Sequence, residues 1–171
     1  QAGTLTTLTS SPGALWRLQT AIFGASNQTA RSGSSLQTGK KHEDQIDLKT
    51  GVSMQVLSSF PNKTTNKPFL LFLHGSFHGA WCWAEQYFDY FAAEEYPGAA
   101  PSWRGTGGTP AGEGVRKVQI DQHVADLEAL LEELPSLIER YTGSTTSTVK
   151  PVVICHSFGG LAVMKYLEKH P

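Results

Sequence analysis

Apolar positions along the chain fall into three kinds of stretch. Gln45–Leu48 and Val52–Leu57 alternate apolar with polar residues, with Thr50-Gly51 between them, and that pattern predicts a β-hairpin. Phe69–Leu73 and Val152–Ile154 are unbroken apolar runs, as expected of strands buried on both faces. The third kind recurs at spacings of three and four. Val124, Leu127, Leu130, Leu131, Leu134, Leu137 and Ile138 predict a helix from Val115 to about Tyr141, with Pro135 placed to kink or split it. Leu161, Met164 and Leu167 define the apolar face of another helix ending at His170. A helix opening near Ala80 carries Tyr87, Phe88 and Phe91. Tyr96–Pro101 stands where a further strand is due, although Pro97 and Gly98 make it a poor one. Pro61–Lys67 and Thr142–Lys150 are polar loops. Strands that alternate with helices in this way predict a parallel sheet covered by helices on both faces.

Composition narrows the class. A chain of 171 residues can bury one core. A net charge of −1 leaves no electrostatic footprint for nucleic acid, and no apolar run is long enough to span a membrane. Cys82 and Cys155 lie in apolar surroundings and read as reduced core cysteines, not a disulfide or metal pair. Gln1–Lys41 contains no Asp or Glu and is rich in Ser, Thr, Gly and Gln, with Arg17, Arg31, Lys40 and Lys41 as its cations. Residues 1–42 are therefore expected to be a disordered leader with the composition of an organelle transit peptide. Such a leader implies a plastid or mitochondrion; without that role the chain is expected in the cytoplasm. Residues 43–171 form the folded part. Asn27 and Asn62 head glycosylation sequons, but no secretory signal accompanies them.

The chemistry concentrates at Cys155-His156-Ser157-Phe158-Gly159-Gly160. A strand that turns directly into a helix forces the residue at the bend into a strained conformation and pushes its side chain outward. The two glycines let the helix pass close to the strand. This is the G-x-S-x-G nucleophile-elbow pattern, with Cys155 in place of the first glycine. His74-Gly75-Ser76-Phe77-His78-Gly79 follows the buried strand at the sheet edge where open α/β sheets bind ligands. His74 reads as a brace for that loop. Ser102–Thr109 is a Gly-rich turn that lacks the G-K-[ST] of a phosphate loop. His123 and Asp126, one helical turn apart, read as a solvated surface pair.

Together, the His-Gly loop, the Ser-Trp-Arg-Gly-x-Gly turn and the Ser-x-Gly-Gly elbow resemble the α/β-hydrolase superfamily, in its small-esterase branch. The resemblance covers about residues 43–171. It implies an α/β three-layer fold of which this chain holds the first five or so strands of a mostly parallel sheet. It implies Ser157 as nucleophile, with the backbone N–H groups of Ser76 and Phe158 forming the oxyanion hole. Phe77, Trp81 and Phe158 would line the pocket for a small-molecule ester. No cofactor or metal is implied, and oligomeric state is left open.

The triad acid and histidine of the family follow the serine, so they would lie beyond Pro171. As given, the chain is expected to be unstable or inactive alone. The alternatives are a same-fold C–C hydrolase, haloperoxidase-like enzyme or acyltransferase, and a truncated, inactive protein. An epoxide hydrolase or dehalogenase would carry Asp in place of Ser157.

Overall fold

The computed structural model describes residues 39–113, 115, 117–145 and 147–170. Residues 1–38 of the expected leader, with the Asn27 sequon, lie outside the described residues. The elements, in chain order, are β1 (Lys40–Asp47), β2 (Ser53–Phe60), β3 (Leu70–Leu73), α1 (Trp81–Gln86), α2 (Phe88–Ala93), β4 (Gly98–Pro101), α3 (Ile120–Thr142), β5 (Val152–Cys155) and α4 (Phe158–Lys169). The five strands form one sheet in the order β1-β2-β4-β3-β5. β1 pairs antiparallel with β2, and β2 antiparallel with β4. β3 pairs parallel with both β4 and β5. The sheet is thus mixed but mostly of one direction: β2 runs against β1, β3, β4 and β5, which all point the same way.

Alternation along β3 sorts the core into two layers. Leu71 and Leu73 face α3 and α4, together with Met54, Val56 and Ala99. Leu70 and Phe72 face Trp83 of α1 and Phe88 of α2, together with Ala100. Helices therefore cover both faces, as the strand–helix alternation predicted.

Several elements differ from the pattern. The hairpin is longer than the alternation suggests, and β1 takes in Lys40, Lys41 and His42, which precede the composition change at Glu43. The helix near Ala80 is two short helices that break at Tyr87. β4 is fully buried and pairs on both sides, despite its composition. Pro97 lies just outside it, where its carbonyl accepts the Leu70 N–H at 2.8 Å and no N–H is required. Gly98 is needed there, since a Cβ would meet the Leu70 carbonyl oxygen and the Phe72 ring, each at 3.0 Å.

α3 begins at Ile120 instead of Val115, where Gln119 and Gln122 close a reciprocal capping box. It ends at Gly143, whose left-handed φ of 67° lets its N–H reach the Glu139 carbonyl. Pro135 does not split it. A helix-interior proline costs about 3 kcal/mol, whereas each buried leucine contributes about 1.5–3 kcal/mol. Leu127, Leu130, Leu134 and Leu137 are all buried against the sheet, so packing outweighs the proline.

α4 is rotated relative to its apolar periodicity. Leu161 and Met164 are exposed, whereas Gly159, Ala162 and Val163 face the sheet. The sharp turn before α4 sets this rotation by bringing Gly159 onto β3. A Cβ at Gly159 would lie 2.6 Å from the Leu73 carbonyl oxygen and 3.0 Å from that of His74. At Gly160 the nearest atom, Cys155 Sγ, is an ordinary 3.7 Å away. Gly159→Ala is expected to lower the urea-unfolding free energy by about 1–3 kcal/mol. Gly160→Ala should be neutral or raise it by about 0.5–1 kcal/mol. Equal effects at the two glycines would contradict the packing described.

Candidate active site

The site lies at the C-terminal ends of β3, β4 and β5. At the end of β5 the chain turns into α4 across His156 and Ser157. Ser157 has φ 51° and ψ −116°, a conformation foreign to a residue with a Cβ, and such strain costs on the order of 1–3 kcal/mol. Ser157 occupies the N-cap position of α4, yet its hydroxyl makes no cap hydrogen bond. Serine at an N-cap ordinarily bonds back to the helix; here that bond is absent and the residue is exposed. The N–H groups of Gly159, Gly160 and Leu161 bond to the carbonyls of His156 and Ser157. Phe158, the first residue of α4, has no acceptor within the helix for its N–H.

The loop after β3 packs against this turn. Gly75 allows the contact: a Cβ there would lie 2.7 Å from His156 Nδ1 and 3.1 Å from the Ser157 Cβ. Ser76 and Phe77 continue the loop over the opening. Phe77 has φ 63° and is 99% exposed. His78 stacks on Trp81 at 5.8 Å and meets His156 edge-on at 6.2 Å.

His74 braces this loop to the one after β4. It is wholly buried, and its Nδ1 lies 2.7 Å from the Gly75 carbonyl oxygen. The Trp103 backbone N–H donates to its Nε2 at 3.0 Å, so the ring proton belongs on Nδ1. In return, the Trp103 indole N–H donates to the His74 carbonyl at 2.9 Å. The same second loop is tied to the hairpin: Ser102 Oγ accepts the Ala80 N–H and donates to Gln55 Oε1.

Beside the serine turn opens a cleft of about 570 Å³, bordered by Ser76, Phe77, Trp81, Trp103, Arg104, His123 and Phe158 among others. The structure places Ser76, Phe77, Trp81 and Phe158 of the sequence analysis around it. Phe77 and Trp81 form its rim, the latter half exposed.

His123 and Asp126 are not a solvated pair. Both are buried. Asp126 takes two hydrogen bonds from Arg104, Nε at 2.8 Å and Nη2 at 2.7 Å, and a third from Thr50 Oγ1 at 2.6 Å. The His123 ring packs edge-on against Phe158 at 5.0 Å and against Trp103 at 5.7 Å. The missed signal was register: His123, Leu127, Leu130, Leu134 and Leu137 are one helical stripe, which puts His123 on the sheet-facing side. Of the two cysteines expected in the core, Cys82 is half-buried beside the Phe72 layer, whereas Cys155 is exposed at the end of β5. Among the described residues no cluster of ligating side chains could hold a metal ion, and no helix is long and apolar enough to cross a membrane.

The chain belongs to the alpha/beta hydrolase family, which residues 70–170 match. It is similar to Methylesterase 10 of Arabidopsis thaliana, with 35% identity over 101 residues, 59% of this chain and 32% of that protein. Among solved structures it resembles epoxide hydrolase I of potato, Solanum tuberosum, at 25% identity and a TM-score of 0.57, covering 74% of this chain and 35% of that one. An epoxide hydrolase of Vigna radiata gives 23% identity and a TM-score of 0.55, over 78% of this chain and 35% of that one, a likeness of fold alone. The chain spans about a third of the length of these relatives.

Two measurements probe the framework. Asp126→Ala leaves the nearly buried Arg104 side chain without its partner, and unfolding free energy should fall by about 3–5 kcal/mol in denaturant titrations. Burial, the largest influence, holds the His74 and His123 rings below the ordinary histidine value. The unfolded chain then binds more protons below about pH 6.5, so stability present above that pH is lost as pH falls toward the native values. Each ring contributes at most about 1.4 kcal/mol per pH unit, and thermal unfolding at pH 7.5, 6.5 and 5.5 should show the decline.

Proposed function

We propose that this chain carries the nucleophile and oxyanion-binding part of a serine hydrolase acting on small carboxylic esters. The reading rests on one observation: Ser157 sits exposed in a strained backbone at the start of α4, with its hydroxyl making no hydrogen bond to its own helix. In this reading Ser157 Oγ attacks the ester carbonyl, and the alcohol leaves to give an acyl-serine that water then clears. The Phe158 N–H, at the start of α4, and the Ser76 N–H, on the loop that Gly75 brings to Ser157, receive the negative charge on the carbonyl oxygen. That charge exists only at the tetrahedral stage, so these donors lower the barrier instead of merely holding substrate.

The named methylesterase relative supports ester chemistry. The epoxide hydrolase neighbours share the fold, but this chain offers a serine hydroxyl at the turn. The acid and histidine that complete a triad are proposed to come from outside residues 39–170. His74 is not a candidate base, since both its ring nitrogens are engaged.

A fluorophosphonate probe applied to the protein that carries this chain should label Ser157, with labelling abolished in Ser157→Ala. Ester turnover in that variant should fall by on the order of 10³-fold or more. Turnover undiminished in Ser157→Ala would overturn the reading.

A further inference from the structure

Among the described residues bordering the cleft, His123 is the one with a buried side-chain polar atom that has no hydrogen-bond partner. It is 8% exposed, and its Nδ1 is sealed from solvent with no hydrogen-bond partner. Its ring lies against Phe158, whose N–H is assigned above to the oxyanion hole. A buried polar atom without a partner is uncommon and calls for a reason.

The sealed nitrogen also decides the tautomer. Burial, the largest influence, favours the neutral ring, with the Asp126 carboxylate opposing it and the Arg104 cation adding to it. A neutral imidazole carries one N–H and one lone pair. An orphaned buried N–H is rarer than an under-satisfied acceptor, so the lone pair belongs on the sealed Nδ1 and the proton on Nε2. With the proton on Nε2, that N–H is the donor His123 can offer to the cleft it borders. The neighbouring walls Trp103 and Phe158 are aromatic and cannot accept that proton strongly. A bound molecule can.

We infer that His123 is a specificity-determining residue: its Nε2–H donates to an oxygen acceptor carried by the substrate close to the reacting carbonyl. The favoured substrates are then esters bearing an ether, hydroxyl or carbonyl oxygen within a few bonds of the scissile group, in preference to plain alkyl esters. This rests on the ester-hydrolase reading for the reaction but not for the recognition, because binding alone reports it.

The test uses a matched pair of unreactive ligands, heptan-2-one and 1-propoxypropan-2-one, in which one ether oxygen replaces one methylene. Titration calorimetry on the protein that carries this chain should give about 5- to 10-fold tighter binding of the ether ketone. His123→Leu should bind the two ketones equally. His123→Gln, which retains a side-chain N–H donor, should keep part of the preference. Ser157→Ala should keep all of it, which separates recognition from addition of the serine to the ketone. Equal binding by the unmodified protein, no binding of either ketone, or a preference that survives in His123→Leu would overturn the inference. A preference that follows His123 in a protein whose Ser157 resists the fluorophosphonate would leave the recognition standing and end the hydrolase reading.

Discussion

The C-terminal end of β3 is crowded by two close backbone approaches, and the rest of the site is built from that crowding. The Leu73 and His74 carbonyls approach α4 so closely that position 159 accepts only a glycine without something shifting. Immediately afterwards, Gly75 leaves no space between the next loop and the serine turn. His74 then reaches sideways to fix Trp103 through two reciprocal bonds. Three loops from three strands are thereby held by two consecutive residues. The strain at Ser157 persists because these contacts over-determine the turn.

Electrostatics complete what packing begins. The Arg104–Asp126 pair joins the loop after β4 to the first turns of α3, and Thr50 of the hairpin shares the same carboxylate. With every partner in place, the buried charge is satisfied; with one removed, it becomes a liability. This pair also fixes where His123 stands, one turn earlier on α3. The cleft beside the serine turn therefore owes part of its wall to a salt bridge, whose Arg104 also borders it.

Much of this was legible in the sequence, and the exceptions have physical causes. The order of elements followed from run length and spacing, and the serine turn from a strand that meets a helix with two glycines between. Residues 96–101 looked unsuitable as a strand because Pro97 and Gly98 are judged by intrinsic preference. In the sheet, Pro97 needs no N–H and Gly98 admits the Phe72 ring, so the local rule does not apply. For α4, spacing gives a period but not a rotation, and the rotation comes from the close approach at Gly159. Sequence pattern alone places His123 and Asp126 on the surface because polar side chains usually lie there. Their partners, Arg104, Thr50 and Phe158, lie 22 to 76 residues or 35 residues away in sequence, beyond what local pattern can reach.

One feature of α3 bears on motion. The helix is tethered near its start through Asp126 and at its far end through Tyr141 and Arg140, which both bond Asp44 of β1, while His42 stacks on the Tyr141 ring. A rod pinned at both ends does not swing. The opposite layer is two six-residue helices with Lys41–Asp89 as an exposed tether. The cleft thus has an unequal frame: a lip of exposed Phe77 and half-exposed Trp81 on one side, and on the other the wall bearing His123, carried by a helix anchored at both ends.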